Sequence, residues 1–131
     1  MTVMSNLHNQ DKLFNLLYKK SFRQSKLPEF KLTSGQTSCF YINCKQVSLD
    51  AEGAFLIGEA IFDKIKSLPV EGVGGMMIGA DPIATAVAVI SFIKKKPIPA
   101  FIVRKEQKQH GSGQQVEGAL SPGAKLVVVE D

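Results

Sequence analysis

Arg104, Lys105, Lys108 and His110 place four cationic or protonatable side chains within seven residues, and Gly111, Gly113 and Gly118 follow. Glycine weakens both helix and strand, and no apolar period crosses this stretch. Residues 104–117 therefore read as a loop carrying concentrated positive charge. Such a loop suits a polyanion that is covered during reaction and then released. A solvated charged loop is the alternative reading of the same residues.

Two further groups could serve the same ligand. Glu130 and Asp131 follow an apolar run, Lys125-Leu126-Val127-Val128-Val129. Two acids at a strand end can accept hydrogen bonds from sugar hydroxyls or hold hydrated magnesium. They could equally cap a helix or face water. Residues 74–81, Gly-Gly-Met-Met-Ile-Gly-Ala-Asp, stand between a strand and a helix start. Small residues there let backbone N–H groups approach an anion, although a tight structural turn fits as well. Acids for a sugar, amides for a phosphate and a basic flap together describe a site for a phosphorylated sugar.

These groups need a frame that brings them together. Leu13, Phe14, Leu16, Leu17 and Phe22 mark an amphipathic first helix that ends before Pro28. Residues 30–43 place apolar residues on both sides of Ser34-Gly35, which predicts a hairpin or two short strands. Asp50 caps a second helix whose buried stripe is Ala54, Ile57, Gly58, Ile61 and Ile65. A strand over 70–75 runs into glycines. Asp81 as cap and Pro82 at the first helical position then open a third helix. Its body, 83–93, is apolar on nearly every face and should lie deep inside, with Lys94, Lys95 and Lys96 as a solvated helix end. Residues 98–103 form a strand. Pro122-Gly123 turns the chain into the Val run, which is apolar throughout, as in the centre of a parallel sheet. Strand, helix, strand, loop, strand predicts a layered α/β fold with ligands beyond the C-terminal strand ends.

Composition narrows the class. With 131 residues, 44% hydrophobic and 21% charged, the chain reads as one globular domain over 1–131. Its net charge of +4 fits an anionic small molecule, and no aromatic-basic interleaving favours nucleic acid. Cys39 and Cys44 read as packed reduced thiols, without a second pair for zinc or a disulfide scaffold. Residues 1–8 lack the apolar core of a signal peptide, and 83–93 is far shorter than the roughly 20 residues of a membrane span. A cytoplasmic protein without membrane or nucleic-acid partners is expected. His8, in a polar stretch, is expected at the surface.

The chain resembles the orotate phosphoribosyltransferases, type I phosphoribosyltransferases of pyrimidine synthesis. Thr33-Ser34-Gly35 through Asn43, Gly79-Ala80-Asp81-Pro82-Ile83-Ala84, and Arg104-Lys105 through Lys108 to His110-Gly111 carry the likeness. Val127-Val128-Val129-Glu130-Asp131 matches the first half of the phosphoribosyl-diphosphate motif. The likeness runs from about Leu13 onward, and the cationic loop is its specific part, since other phosphoribosyltransferases carry different flaps. It implies a type I phosphoribosyltransferase-like α/β fold: a central, mostly parallel sheet flanked by helices, with an N-terminal hood.

The resemblance also implies roles. Arg104, Lys105, Lys108 and His110 would contact the diphosphate, with Lys108 the main catalytic cation. Gly79, Ala80 and Asp81 would meet the diphosphate largely through backbone. Glu130 and Asp131 would bind ribose hydroxyls. Thr33, Ser34 and Gly35 would line the orotate pocket, with Tyr41 and Ile42 presenting main-chain groups to the base. Magnesium would act through substrate and water, without direct protein ligands. A homodimer is implied, with the 104–117 loop reaching the neighbouring subunit's site. Some relatives have Lys where Thr33 stands, and some have Tyr-Lys where Ile78-Gly79 stand. The chain stops at Asp131, where the family continues into a Thr- and Gly-rich loop for the 5′-phosphate. A C-terminal part is therefore expected to be missing, and the 131-residue polypeptide is expected to be inert. Two other functions are compatible: a phosphoribosyltransferase for another base, and a non-catalytic module that binds phosphoribosyl diphosphate.

Overall fold

The computed structural model describes residues 2–106 and 113–131. Four helices carry the frame: α1 (Thr2–Leu16), α2 (Lys45–Ser48), α3 (Ala51–Ile65) and α4 (Ala80–Ile93). Helix α1 runs directly into a π-helical turn, Leu17–Ser21, and then into strand β1 (Phe22–Gln24). Phe22 thus belongs to a strand and not to the first helix's apolar stripe. Its ring still continues that stripe, stacking on Tyr18 at 5.5 Å and on Phe40 at 6.0 Å.

The N-terminal hood comprises two small antiparallel sheets. Strand β2 (Phe30–Lys31) pairs with β3 (Thr37–Ser38), and β1 pairs with β4 (Phe40–Ile42). The β2–β3 hairpin is the one expected around Ser34-Gly35. Gly35 adopts φ +86°, a conformation that glycine reaches without steric penalty.

The main sheet has the order β7-β6-β5-β8. Its strands are β5 (Gly72–Met76), β6 (Ala100–Val103), β7 (Val116–Glu117) and β8 (Leu126–Val128). Strand β5 pairs in parallel with both β6 and β8, while β7 runs antiparallel on the outer side of β6. The glycine-rich strand is therefore the central one. Among the described residues the Val run of β8 is paired on one side only, contrary to its expected central place. Glycine is required in β5 by close approach: a Cβ at Gly74 would meet the Phe101 ring at 2.6 Å.

The core lies where α3 and α4 cover the sheet. Phe62, Ile65, Val73, Val87, Ile90 and Ile98 form it, with Val127 and Val129 packed against it. The expected α3 stripe holds in part: Gly58 and Ile65 are buried, Ala54, Ile57 and Ile61 are half-buried, and Leu56 and Phe62 are buried beside them. Asp50 caps α3 as expected, its Oδ1 accepting from the Gly53 N–H at 3.0 Å. Lys20 donates to the other carboxylate oxygen and, as the larger cause, holds the Asp50 pKa below the usual carboxylate value. This pair ties the π-helical turn to the start of α3.

Helix α4 departs from expectation at both ends. It begins at Ala80 after Gly79, so Asp81 lies inside the first turn and is not the cap. Nor is it buried all round, because Val89, Phe92 and Ile93 are exposed. The lysine triplet is structural as well as solvated. Lys94 pairs with the nearly buried Glu59 of α3 at 3.1 Å, and the Lys96 ammonium donates to the Lys66 carbonyl at the end of α3.

Ser91 is the polar link inside the core. It is fully buried, donates to the Ala88 carbonyl at 2.7 Å and accepts from the Ile98 N–H at 2.8 Å. Ser91→Ala would leave that amide buried and unpaired, at about 1–3 kcal/mol of stability. Urea unfolding should show a lower midpoint with an unchanged slope. An unchanged midpoint would mean that water replaces the hydroxyl.

Candidate functional site

The C-terminal ends of β5, β6 and β8 converge, and three of the expected groups meet there. After β5 the chain passes through Met77 and Ile78 to Gly79 and α4. The Met77 N–H donates to the Val103 carbonyl at 2.9 Å, fastening this turn to the end of β6. Met77, Ile78, Arg104, Lys105 and Glu106 line a common cleft of about 480 Å³. The glycine-rich turn and the first two cations of the charged segment therefore share one cavity.

At the start of α4, Gly79 and Ala80 have no partner in the preceding turn of the helix. Neither amide donates to another backbone group among the described residues. Asp81 returns its N–H to the Ile78 carbonyl at 3.3 Å, and Pro82 has none. Anion binding at this terminus falls to the Gly79 and Ala80 amides, with the helix field behind them. The Asp81 carboxylate sits in the first turn, and its Oδ1 is buried without a hydrogen-bond partner among the described residues.

Asp131 reaches the same place from β8. A Cβ built on Gly79 would collide with the Asp131 carboxylate, so the acid lies directly over the glycine. The Asp131 side chain is only 16% exposed and forms an ion pair with Lys45, from the first turn of α2. The hydrogen bond to Asp131 is the largest cause of a raised Lys45 pKa, to which Tyr41 also contributes. Burial, and then the Asp131 charge, raises the pKa of the neighbouring Cys44 thiol, while Lys45 opposes this. Glu130 is exposed beside this group.

Sequence reasoning did not single out Lys45. The available signal was its position: it is the first lysine after the 33–43 segment and begins a helix. Its partner, 86 residues away, leaves no local trace.

Arg104 is anchored by the strand that follows the charged segment. Its Nε donates to Glu117 Oε1 at 3.0 Å, its N–H to the Gln115 carbonyl at 2.8 Å, and its carbonyl accepts from the Gln115 side chain at 3.1 Å. Residues 104–106 and 113–117 thus form the two arms of a β6–β7 hairpin. The expected sites Lys108 and His110 lie outside the described residues.

The base-pocket candidates are more dispersed. Thr33, Ser34 and Gly35 form the exposed tip of the β2–β3 hairpin. Among the described residues, no hydrogen bond or ion pair links them to the strand-end group. Tyr41 stacks on Phe30 at 5.8 Å, while Ile42 faces a cavity lined by Phe14, Leu17, Tyr18, Phe22 and Cys44. The bonds Asn43 N–H to Ser21 and Ser25 N–H to Cys39 fix the alternation of the β1–β4 ladder. Tyr41 then exchanges its main-chain bonds with Arg23, and the Ile42 amide and carbonyl point to the open edge.

Among the described residues, no group of three His, Cys, Asp or Glu side chains could hold a metal ion, and no helix is long and apolar enough to cross a membrane.

Known proteins are similar to this chain in sequence and in fold. No protein-family model matches the chain. The orotate phosphoribosyltransferase of Aquifex aeolicus is 43% identical over 122 residues, covering 93% of this chain and 67% of that protein. The orotate phosphoribosyltransferase of a Nostoc species is 46% identical over 121 residues, covering 92% of this chain and 57% of the relative. The crystal structure of the Mycobacterium tuberculosis orotate phosphoribosyltransferase with 5-phospho-α-D-ribosyl 1-diphosphate superposes with a TM-score of 0.69 at 29% identity, covering 94% of this chain and 64% of that one. The chain thus spans between a little over half and two thirds of the length of these relatives.

Proposed function

We propose that this chain, which belongs to the orotate phosphoribosyltransferase family, supplies the sugar-diphosphate side of a site that transfers the 5-phosphoribosyl group of phosphoribosyl diphosphate to orotate. The products are orotidine 5′-phosphate and diphosphate, a step of pyrimidine nucleotide synthesis. The observation that carries this reading is the convergence at the strand ends. Amides of Gly79 and Ala80, the Asp131 carboxylate, and Arg104 with Lys105 surround one region, as a sugar diphosphate requires.

In the reaction, the C1–N1 bond forms as the C1–O bond to diphosphate breaks. The diphosphate leaves with the electron pair, and the N1 proton passes to diphosphate or water. The orotate charge lies on its carboxylate, so N1 gives up its proton only as the new bond forms. Charge developing on the leaving diphosphate is what needs stabilising, and preorganised cations and amides supply this. Arg104, Lys105 and Lys108 provide the cations, His110 a hydrogen-bond donor, and Gly79 and Ala80 the amides. Asp131 and Glu130 accept from the ribose hydroxyls. Glu130 and Asp131 are the carboxylates that could accept from water on a magnesium ion held by the substrate, and such an ion would offset charge on the diphosphate.

A homodimer is part of this reading. Leu49 and Phe55, with Val89 and Ile93 of α4, line an apolar groove of about 690 Å³ that ends at Ile78 and Asp81. Exposed apolar surface of this kind, adjoining the site, suits a second copy whose charged loop then reaches across.

The test is loss of orotate absorbance with magnesium and phosphoribosyl diphosphate, run on the 131-residue chain and on a version extended beyond Asp131 with the corresponding segment of a relative, with orotidine 5′-phosphate identified by mass; turnover is expected of the extended version. Orotate should be consumed in preference to uracil, adenine and hypoxanthine. Turnover of another base but not orotate would overturn the substrate. Tight binding of phosphoribosyl diphosphate without turnover of any base would favour a non-catalytic module.

A further inference from the structure

Lys45 stands outside every group that the sequence assigned to the site, yet its ammonium meets the Asp131 carboxylate at the centre of it. We propose that Lys45 is a positioning residue for the sugar-diphosphate site: it holds the Asp131 carboxylate in one orientation over Gly79 and offsets its charge beside the incoming diphosphate. The inference rests on the proposed reaction and extends it to a residue of the hood side of the molecule.

Three observations lead there. First, Asp131 has little freedom. Its carboxylate fills the space above Gly79, and Oδ2 is taken by Lys45, so the remaining oxygen is aimed by both contacts. Second, the exposures are unequal: the Asp131 side chain is 16% exposed and that of Lys45 41%. The acid is the sheltered partner, and the lysine closes it from outside. Third, Lys45 follows β4 directly, across Asn43 and Cys44, so the strand carrying Tyr41 and Ile42 is tied to the end of β8 through this one ion pair.

The physical need is clear. A carboxylate that must accept from ribose hydroxyls stands close to where a highly charged diphosphate binds. An unpaired acid there repels the ligand and can rotate away from it. A lysine fixed on Oδ2 removes both faults and leaves Oδ1, which lies over Gly79, without a hydrogen-bond partner among the described residues. Ion pairs this exposed contribute little to folding stability, so the effect should appear in binding and not in melting.

Lys45→Ala should raise the KM for phosphoribosyl diphosphate about tenfold, the scale of one lost charge-assisted hydrogen bond. The KM for orotate and the melting temperature should change little. Lys45→Arg should restore most of the loss and Lys45→Met should not. In an Asp131→Asn background, Lys45→Ala should add almost nothing, because the two act as a unit. Equal losses for both substrates, an additive double mutant, or an unchanged KM would overturn the role. Calorimetry of magnesium phosphoribosyl diphosphate on wild type and Lys45→Ala makes the same comparison without turnover. A tenfold difference there, in a protein that leaves orotate untouched, would overturn the reaction and uphold the positioning role. Equal affinities in a protein that turns over orotate would do the reverse.

Discussion

Replacing Lys108 by alanine is expected to lower kcat by roughly 10²–10³-fold, with much smaller changes in either KM. The expectation rests on where charge develops. Diphosphate is already highly charged when bound, and the frame has other groups to hold that charge: Arg104 and Lys105 at the cleft, and the amides of Gly79 and Ala80. What changes during reaction is the bridging oxygen, which gains charge as the C1–O bond breaks. A cation directed at that oxygen acts mainly in the transition state, and its loss falls on kcat. Arg104 is less free to take this part, since Glu117 and Gln115 hold both its side chain and its main chain. Mixed dimers give the sharper test. In a heterodimer of one Lys108→Ala subunit and one Asp131→Asn subunit, a loop that crosses the interface leaves one site intact and the other doubly damaged. Such heterodimers should recover up to half the activity of wild type. If each loop served its own subunit, both sites would carry a lesion, and the verified heterodimer would be as poor as its parents. A rise in KM without a fall in kcat would place Lys108 in ground-state binding instead.

The legible part of this molecule is the part written locally. Ser34-Gly35 between apolar residues gives a hairpin, Asp50 before an apolar period gives a capped helix, and alternation of strand and helix gives a parallel sheet. The motif groups at residues 77–81, 104–105 and 130–131 end at one edge of that sheet because parallel strands deliver their C-terminal ends together. What was not legible depends on distant partners. Phe22 has an apolar residue's place in a helical period, but pairing with Ile42 makes it a strand. Helix α4 approaches α3 so closely that only glycine fits at Gly58, where a Cβ would meet the Ala86 carbonyl at 2.8 Å, and the residues buried on either side of that crossing are set by α4 and the sheet together. Helix α4 reads as buried because apolarity alone cannot separate a core helix from one with an open apolar face. The Lys45–Asp131 and Arg104–Glu117 pairs are set by the tertiary fold, and no spacing rule announces them.

The largest loss of stability should follow Phe62→Ala. Phe62 is 4% exposed and lies in the cluster with Ile65, Val73, Val87, Ile90 and Ile98, where α3 meets both α4 and the sheet. Removing the ring takes away its transfer energy and leaves a cavity that three rigid elements cannot close. Such substitutions destabilise by about 3–5 kcal/mol. For a domain of this size the melting temperature should fall by roughly 10–20 °C. The denaturant midpoint should fall while the slope stays the same, since the surface exposed on unfolding is nearly unchanged. Phe92→Ala is the control: its ring is 75% exposed, and stability should move by only about 0.5 kcal/mol. The consequence for function follows from the same packing. The amides of Gly79 and Ala80 are aimed by α4, and α4 is held by this cluster, so Phe62→Ala should lose substrate affinity only as it approaches its lowered melting point. Well below that temperature, the KM for phosphoribosyl diphosphate should match wild type. A large KM defect at low temperature would mean that the cavity relaxes by shifting α4 and not by remaining open. A stability loss below about 1 kcal/mol would contradict the placement of Phe62 in the core.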